Sequence, residues 1–235
     1  LFLTSLLCGC AESDSHSTHV MGTLVTATGT QSEVLSNDDV QLVLEIFHDV
    51  DALMSEWKSE SPLSNVNTAA GNNPVEVPTD VFDAVRRALD IAELTDGAFD
   101  PTWAALWSLW DFETPCLPTE EEVSSRLPLV DWEQVQLEDQ SIFLPEKGMA
   151  LGLGGIAKGI ALDRANGALH NRGVKNYMIV VGGQVLVSGT NDGVPWKIGI
   201  RKPDETTDEY IAILNVADTC VSTSGDYEKY FVVDG

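Results

Sequence analysis

The hydrophobic period of this chain changes once along its length, and that change limits the possible architectures more than any other feature. Before residue 100, apolar residues recur at helical intervals. Val40, Val43, Phe47, Val50, Met54 and Trp57 share one face over residues 38–57, and Val81, Val85, Leu89 and Ala92 share one over 80–94. Ser36 or Asn37 is placed to cap the first helix. Thr119 with Glu122 makes a capping box for a short third one. From Trp132 onward the runs shorten and become β-branched, at 135–137, 142–144, 177–181, 185–187, 196–200, 211–216 and 219–222. A weaker strand is expected at 20–29 and another at 228–233. Asp139-Gln140, Gly182-Gly183 and Asp192-Gly193 are turn pairs that join several strands as hairpins. A helix over 156–172, closed by Gly173, interrupts them. Helices gathered early and hairpins gathered late predict an α+β protein, mostly antiparallel sheet with helices packed on it.

Charge narrows the partners. Against 37 Asp and Glu stand 13 Lys and Arg, a net charge of −24. No basic cluster is present for a polyphosphate backbone, so nucleic acid is excluded as a partner. A phosphorylated ligand on so acidic a protein calls for a divalent cation to offset repulsion.

The run Leu151-Gly-Leu-Gly-Gly-Ile-Ala-Lys-Gly159 supplies a place for such a ligand. Its glycines allow close backbone approach. The helix start beyond them presents amides and the positive end of a dipole, and Lys158 adds a mobile charge. The spacing is neither Gly-x-Gly-x-x-Gly nor Gly-Lys-Ser/Thr. Read alone, the run is either a phosphate seat or a tight strand-to-helix packing joint.

Both ends carry their own signals. Residues 1–9 read as the tail of a truncated signal peptide, and Leu7-Cys-Gly-Cys10 resembles a bacterial lipobox. The alternative is a ragged apolar end. Residues 10–19 would then be a polar tether lipidated at Cys10. That implies a lipoprotein anchored at the bacterial cell envelope, extracytoplasmic on the periplasmic face. The domain itself would occupy 20–235. The strand at 228–233 runs into Asp234-Gly235, a hairpin turn without its return strand, so a further C-terminal part is expected. Cys116 and Cys220 leave a disulfide open as a possibility.

A series of motifs then acts together. Met21-Gly-Thr23 is followed by Met54-Ser-Glu-Trp57, Ser61-Pro-Leu-Ser-Asn-Val-Asn67, and Thr95-Asp-Gly-Ala-Phe-Asp-Pro-Thr102. After these come Leu109-Trp-Asp-Phe112, the glycine–lysine run, Val181-Gly-Gly183, Trp196-Lys-Ile-Gly-Ile200, and Ser222-Thr-Ser-Gly-Asp-Tyr-Glu-Lys-Tyr230. In this order they resemble the ApbE family, the FAD:protein FMN transferases, from about Met21 to Gly235. The resemblance implies an ApbE-type, T-fold-like architecture. It also implies an enzyme that uses Mg²⁺ to cleave FAD, transferring FMN to a Thr or Ser of an acceptor flavoprotein with AMP leaving. Hydrolysis of FAD by water, or flavin binding without turnover, are the alternatives.

By the same resemblance Met21 and Trp57 flank the nucleotide, though ordinary core packing would also account for both. Ala98, Phe99 and Asp100 form an FAD-contacting turn, with Asp100 alternatively a cap for the segment 102–110. Lys158 contacts the nucleotide, or else is a surface lysine. Gly155 offers its carbonyl to Mg²⁺. Gly152 stands at a nucleotide-contact position where the family usually has an acidic residue. The remaining metal ligands, an Asp and a Thr, are expected beyond Gly235. No side chain is singled out as catalytic. Thr223, Ser224 and Asp226 either line the site or satisfy their own turn.

Overall fold

The computed structural model describes residues 16–110, 117–202 and 209–225. The chain opens with β1 (His16–Val20) and β2 (Thr23–Gly29), then α1 (Asn37–Met54), α2 (Pro62–Ala69), β3 (Val75–Glu76) and α3 (Thr79–Leu94). A 3₁₀ helix (Pro101–Leu109) precedes α4 (Glu120–Arg126), β4 (Gln136–Glu138), β5 (Ser141–Phe143) and α5 (Gly154–Asn171). Then follow β6 (Tyr177–Val181), β7 (Gln184–Ser188), β8 (Trp196–Arg201), β9 (Tyr210–Val216) and β10 (Thr219–Ser222). All strand pairings among these elements are antiparallel, and the architecture is α+β. Two compact units form: the described residues within 1–44, 165–202 and 208–223, and those within 45–164, 203–207 and 224–235.

The first unit is built on a five-stranded sheet ordered β1-β2-β6-β7-β10. Tyr177, Ile179 and Val181 point to one face and are fully buried, as the period of two demands. On the other face Met178 and Val187 cluster with Trp196 and Ile198 of the separate β8–β9 pair, joined by Val180, Val185, Val216 and Val221. The Tyr177 hydroxyl donates to Asn166 Oδ1 at 2.7 Å, tying the sheet to the last turns of α5.

Two expectations are corrected in this unit. The strand expected at 20–29 is broken by a turn at Met21 (φ 53°) and Gly22 (φ 69°), and β1 pairs back onto β2. Residues 16–19, expected in a tether, therefore belong to a sheet edge, where polar side chains are tolerated. Two successive positive φ values match the twist of a two-residue hairpin. Asp192-Gly193 closes only an isolated bridge between Asn191 and Val194, because β8 takes β9 rather than β7 as its neighbour.

The second unit holds α2, α3, α4 and the small sheet β3-β5-β4. In α1 the expected face is realised by Val40, Val43, Phe47, Val50 and Met54, all at most 2% exposed. The helix stops at Met54, three residues short of the expected end. Ser36 caps it, its hydroxyl accepting from the Asp39 amide at 3.2 Å. α3 buries Val81, Ala84, Val85, Ala88 and Ala92. The Thr119–Glu122 capping box forms as expected, and the Asp139-Gln140 hairpin joins β4 to β5. α2 and β3 were not anticipated. The first is only eight residues, four of them Ser, Thr or Asn, and the second only two residues, so neither shows a readable period. The strand expected at 228–233, Asp226, Cys10 and Cys116 lie outside the described residues. No helix among the described residues is long and apolar enough to cross a membrane.

Candidate functional site

Three sets of side-chain-to-backbone hydrogen bonds build one surface of the second unit. In the first, Ser61 caps α2 by accepting from the Ser64 amide at 3.0 Å and donates to the Ser55 carbonyl at 2.6 Å. Ser64 Oγ donates to the Glu56 carbonyl at 3.2 Å. The loop after α1 is thereby held, and Ser55, Glu56 and Trp57 leave the helix in a fixed direction.

In the second set, the Asn67 amide spans the backbone of Leu151. Its Nδ2 donates to the Leu151 carbonyl at 2.9 Å, and its Oδ1 accepts from the Leu151 amide at 2.7 Å. That fixes the start of the glycine run. The Gly152 amide continues the attachment, donating to the Pro101 carbonyl at 2.9 Å.

The third set centres on Asp100. Its Oδ1 accepts from the amide and hydroxyl of Thr102 at 2.8 and 2.6 Å, and its Oδ2 accepts from the Trp132 amide at 3.3 Å. Thr102, fully buried, in turn accepts from the Asp131 amide at 2.8 Å. Asp100 is thus a cap of the 3₁₀ helix, the alternative that its sequence position allowed. Just before it, Asp96 and Gly97 adopt positive φ (52° and 75°), and the Gly97 amide closes α3 on Ala92 at 2.9 Å. Ala98 is exposed, and the Phe99 amide donates to Thr95 Oγ1 at 3.1 Å.

These clamps present a helix start beside a group of indoles. The amides of Ile156 and Ala157 both donate to the Leu153 carbonyl, at 2.9 and 2.8 Å, which makes Leu153 the cap of α5. Gly154 and Gly155 follow it, solvent-facing, with amides ahead of the helical ladder. A Cβ on Gly155 would lie 2.9 Å from the Phe99 ring, so that residue has room only for hydrogen. Lys158 projects one turn further along, half-buried. Trp107 packs edge-on against Trp57, with centroids 4.5 Å apart, and tilts against Trp103 at 4.4 Å. Trp57 is 68% exposed and Trp103 43% exposed. The core-packing alternative for Trp57 is therefore excluded: α1 has ended, and the ring stands on the surface.

Gly152 links the indoles to the helix start. A Cβ there would sit 3.1 Å from Ala104 Cβ, 3.3 Å from Trp107 Nε1 and 3.6 Å from Glu56 Oε1. The absence of an acidic side chain at this position has a steric reason, and the carboxylate of Glu56 approaches the same space. Burial pushes the Glu56 carboxyl above its ordinary range, with Asp51 adding to the rise, while its own amide and the charge of Lys158 pull it back.

Of the residues proposed from sequence, Trp57, Ala98, Phe99, Asp100, Gly152, Gly155 and Lys158 all lie in this unit. Met21 lies in the first unit, at the β1–β2 turn. The Thr223 amide donates to the Gly183 carbonyl at 2.8 Å, which satisfies the turn beside β7. No motif assigns a role to Glu56, Trp103 or Trp107. Glu56 sat inside a quoted motif, and the two indoles are four residues apart directly after the Asp100-Pro101 cap.

The metal is a separate matter. Among the described residues, no three His, Cys, Asp or Glu side chains cluster to hold an ion. Gly155 lies in the first turn of α5. The described residues alone do not make a complete Mg²⁺ site, and the further ligands expected beyond Gly235 are not among them.

The ApbE family model matches residues 21–235. A Vibrio cholerae protein described as an FAD:protein FMN transferase is 31% identical over 241 residues, covering 98% of this chain and 72% of its own. A Klebsiella pneumoniae protein of the same description is 33% identical over 197 residues, and the alignment spans 82% of this chain but only 61% of that protein. Among solved structures, the ApbE protein of Thermotoga maritima superposes with a TM-score of 0.84 at 32% identity, over 94% of this chain and 73% of its own. The flavin transferase ApbE of Vibrio cholerae gives 0.80 at 28% identity, over 94% and 74%. The chain belongs to the ApbE family, a family of flavin transferases.

Proposed function

We propose that this protein transfers FMN from FAD to an acceptor flavoprotein. The observation that carries the reading is the continuity, within one unit, of two exposed indoles with a glycine-lined helix start and a lysine. FAD has the matching parts: flat ring systems that stack on indoles and a pyrophosphate suited to helix amides and an ammonium group. Trp57 and Trp103 would take a ring, and Gly154, Gly155 and Lys158 the phosphates.

In the finer form of the proposal, a Thr or Ser hydroxyl of the acceptor attacks the FMN-side phosphorus. The bond to the AMP phosphate breaks, AMP leaves with the electron pair, and the hydroxyl proton is lost to solvent. Such a reaction depends on positioning and charge stabilisation more than on covalent help. Mg²⁺ belongs to the proposal as the charge clamp that a phosphoanhydride needs on a protein of net charge −24. We place the protein at the cell envelope through a lipid on Cys10. Retention in the membrane fraction by wild type and release by Cys10→Ala would support that placement.

The test is incubation of the full-length protein with FAD, Mg²⁺ and a candidate acceptor flavoprotein. Fluorescent flavin that stays on the acceptor in a denaturing gel supports transfer. AMP and free FMN without labelled acceptor reassign the protein as an FAD pyrophosphatase, and intact FAD removes both enzymatic readings and leaves a flavin-binding protein.

A further inference from the structure

The groups brought to the start of α5 are mostly hydrogen-bond donors. Gly154 and Gly155 offer amides, and Lys158 an ammonium group. Trp107 Nε1 is buried with no hydrogen-bond partner among the described residues. Glu56 is the exception. Its Oε1 lies 3.6 Å from the Cβ positions of both Gly152 and Gly154, between the indoles and the helix start. Its backbone is held on both counts that fix the loop: Ser64 donates to the Glu56 carbonyl at 3.2 Å, and Ser61 to the carbonyl of the preceding Ser55 at 2.6 Å. Among the described residues, no ammonium or guanidinium nitrogen comes within 4.0 Å of its carboxylate. Lys158 acts on it only through the longer-range field.

A carboxylate beside a phosphate seat repels an anion. It is useful only if the same ligand also brings an O–H or N–H group to that point. We propose that Glu56 is a specificity-determining residue that accepts a hydrogen bond from a hydroxyl or ring N–H of the nucleotide and discriminates against bare phosphates. The inference rests on the FAD reading above and deepens it. FAD carries ribityl and ribose hydroxyls, an adenine amino group and a flavin imide N–H, whereas inorganic pyrophosphate has the charge without fixed donors of this kind. Burying an acceptor against the wrong ligand leaves it unpaired, which makes rejection stronger than the attraction it replaces.

The experiment compares FAD with inorganic pyrophosphate on the full-length protein by calorimetric titration at one pH and ionic strength. The variants are Glu56→Gln and Glu56→Asp, with thermal melts to establish that each is folded. Glu56→Gln removes the charge and keeps the shape. The expected result is a crossover: FAD binding weakens about tenfold, because the amide oxygen that remains is a weaker acceptor than the carboxylate, while pyrophosphate binding strengthens or stays level. Glu56→Asp should restore part of the preference for FAD. If both ligands weaken equally in Glu56→Gln, the residue is only structural, and if both tighten it is only a repulsive charge; either result overturns the proposal. If wild type binds no FAD, the functional reading above fails and takes this inference with it. If wild type binds FAD and Glu56→Gln binds it unchanged, only this inference fails.

Discussion

Replacing Asn67 with Ala should loosen the glycine run without touching any ligand-facing group. The side chain makes two bonds to Leu151, at 2.9 and 2.7 Å, and Leu151 is fully buried. Truncation therefore removes two hydrogen bonds and strands a buried amide and carbonyl together. Each stranded group costs about 1–3 kcal/mol, so the second unit should lose about 2–6 kcal/mol. In a protein of this size that corresponds to a fall of roughly 4–24 °C in Tm. Five of the six tryptophans lie within residues 45–164, so indole fluorescence on heating follows this unit almost alone. FAD affinity should fall as well, because Gly152 and the start of α5 follow directly from Leu151. Asn67→Asp provides the internal control. When ionised, it still accepts from the Leu151 amide but sets a carboxylate against the Leu151 carbonyl. When protonated, it donates again. Its folded-state pKa is therefore raised, and its stability is greatest below the unfolded value and lost as pH rises through the folded one. A melting temperature for Asn67→Ala within about 1 °C of wild type, or no pH slope in Asn67→Asp beyond that of wild type, would refute the assigned clamp.

Lys158→Ala should weaken FAD binding about tenfold in calorimetric titration, the loss of one charge-assisted contact; unchanged affinity would remove the lysine from the site. Trp57→Ala should leave the melting temperature nearly unaltered, since the ring is 68% exposed, while FAD affinity falls by about 0.5–1.5 kcal/mol of stacking. Asp100→Ala should cost about 2–3 kcal/mol in urea unfolding, because it removes a cap and strands the Thr102 and Trp132 amides. For Glu56 the carboxyl is raised above 4.5 in the folded state. Its contribution to stability is complete below that ordinary value and is lost as pH rises through the folded value. Glu56→Gln should therefore be more stable than wild type at pH 8 and no more stable at pH 4, as read by urea midpoints.

The legible parts of the fold were those with a period. Residues 40–54 and 81–92 repeat apolar side chains every three or four positions, and β6 and β7 are β-branched runs with a glycine turn between them, so both types announced themselves. The site was legible in a different way. Trp57 and Phe99 are proposed because their motifs occur in a family order, Lys158 already from the glycine run around it, whereas composition gives only the need for a cation. What escaped notice has physical causes. α2 is polar enough to look like a loop, and its stability comes from Ser61 as cap and from contacts with Ser55 and Glu56. β1 is a polar edge strand that exists because two residues at Met21-Gly22 take positive φ, a property methionine does not advertise. Glu56 is silent in the sequence because its significance depends on Gly152 and Gly154, about a hundred residues away, leaving space that its carboxylate approaches.

The motif residues divide into two kinds that the sequence prints side by side. Ser61, Ser64, Asn67, Asp100 and Thr102 each bond a backbone group of another segment, and so they make a frame. Trp57, Gly154, Gly155 and Lys158 are what the frame presents. The division predicts how substitutions should sort. A change in the frame lowers stability and nucleotide binding together, because the segments it joins are the ones that carry the ligand-facing groups. A change on the presented face lowers binding alone. Glu56 belongs to both kinds, its backbone held by the frame and its carboxylate directed to the ligand. Its two halves can therefore be separated: Ser64→Ala, which frees its carbonyl, should lower stability and FAD affinity in parallel. Glu56→Gln, which alters only the carboxylate, should change the choice between FAD and pyrophosphate without destabilising the fold at neutral pH.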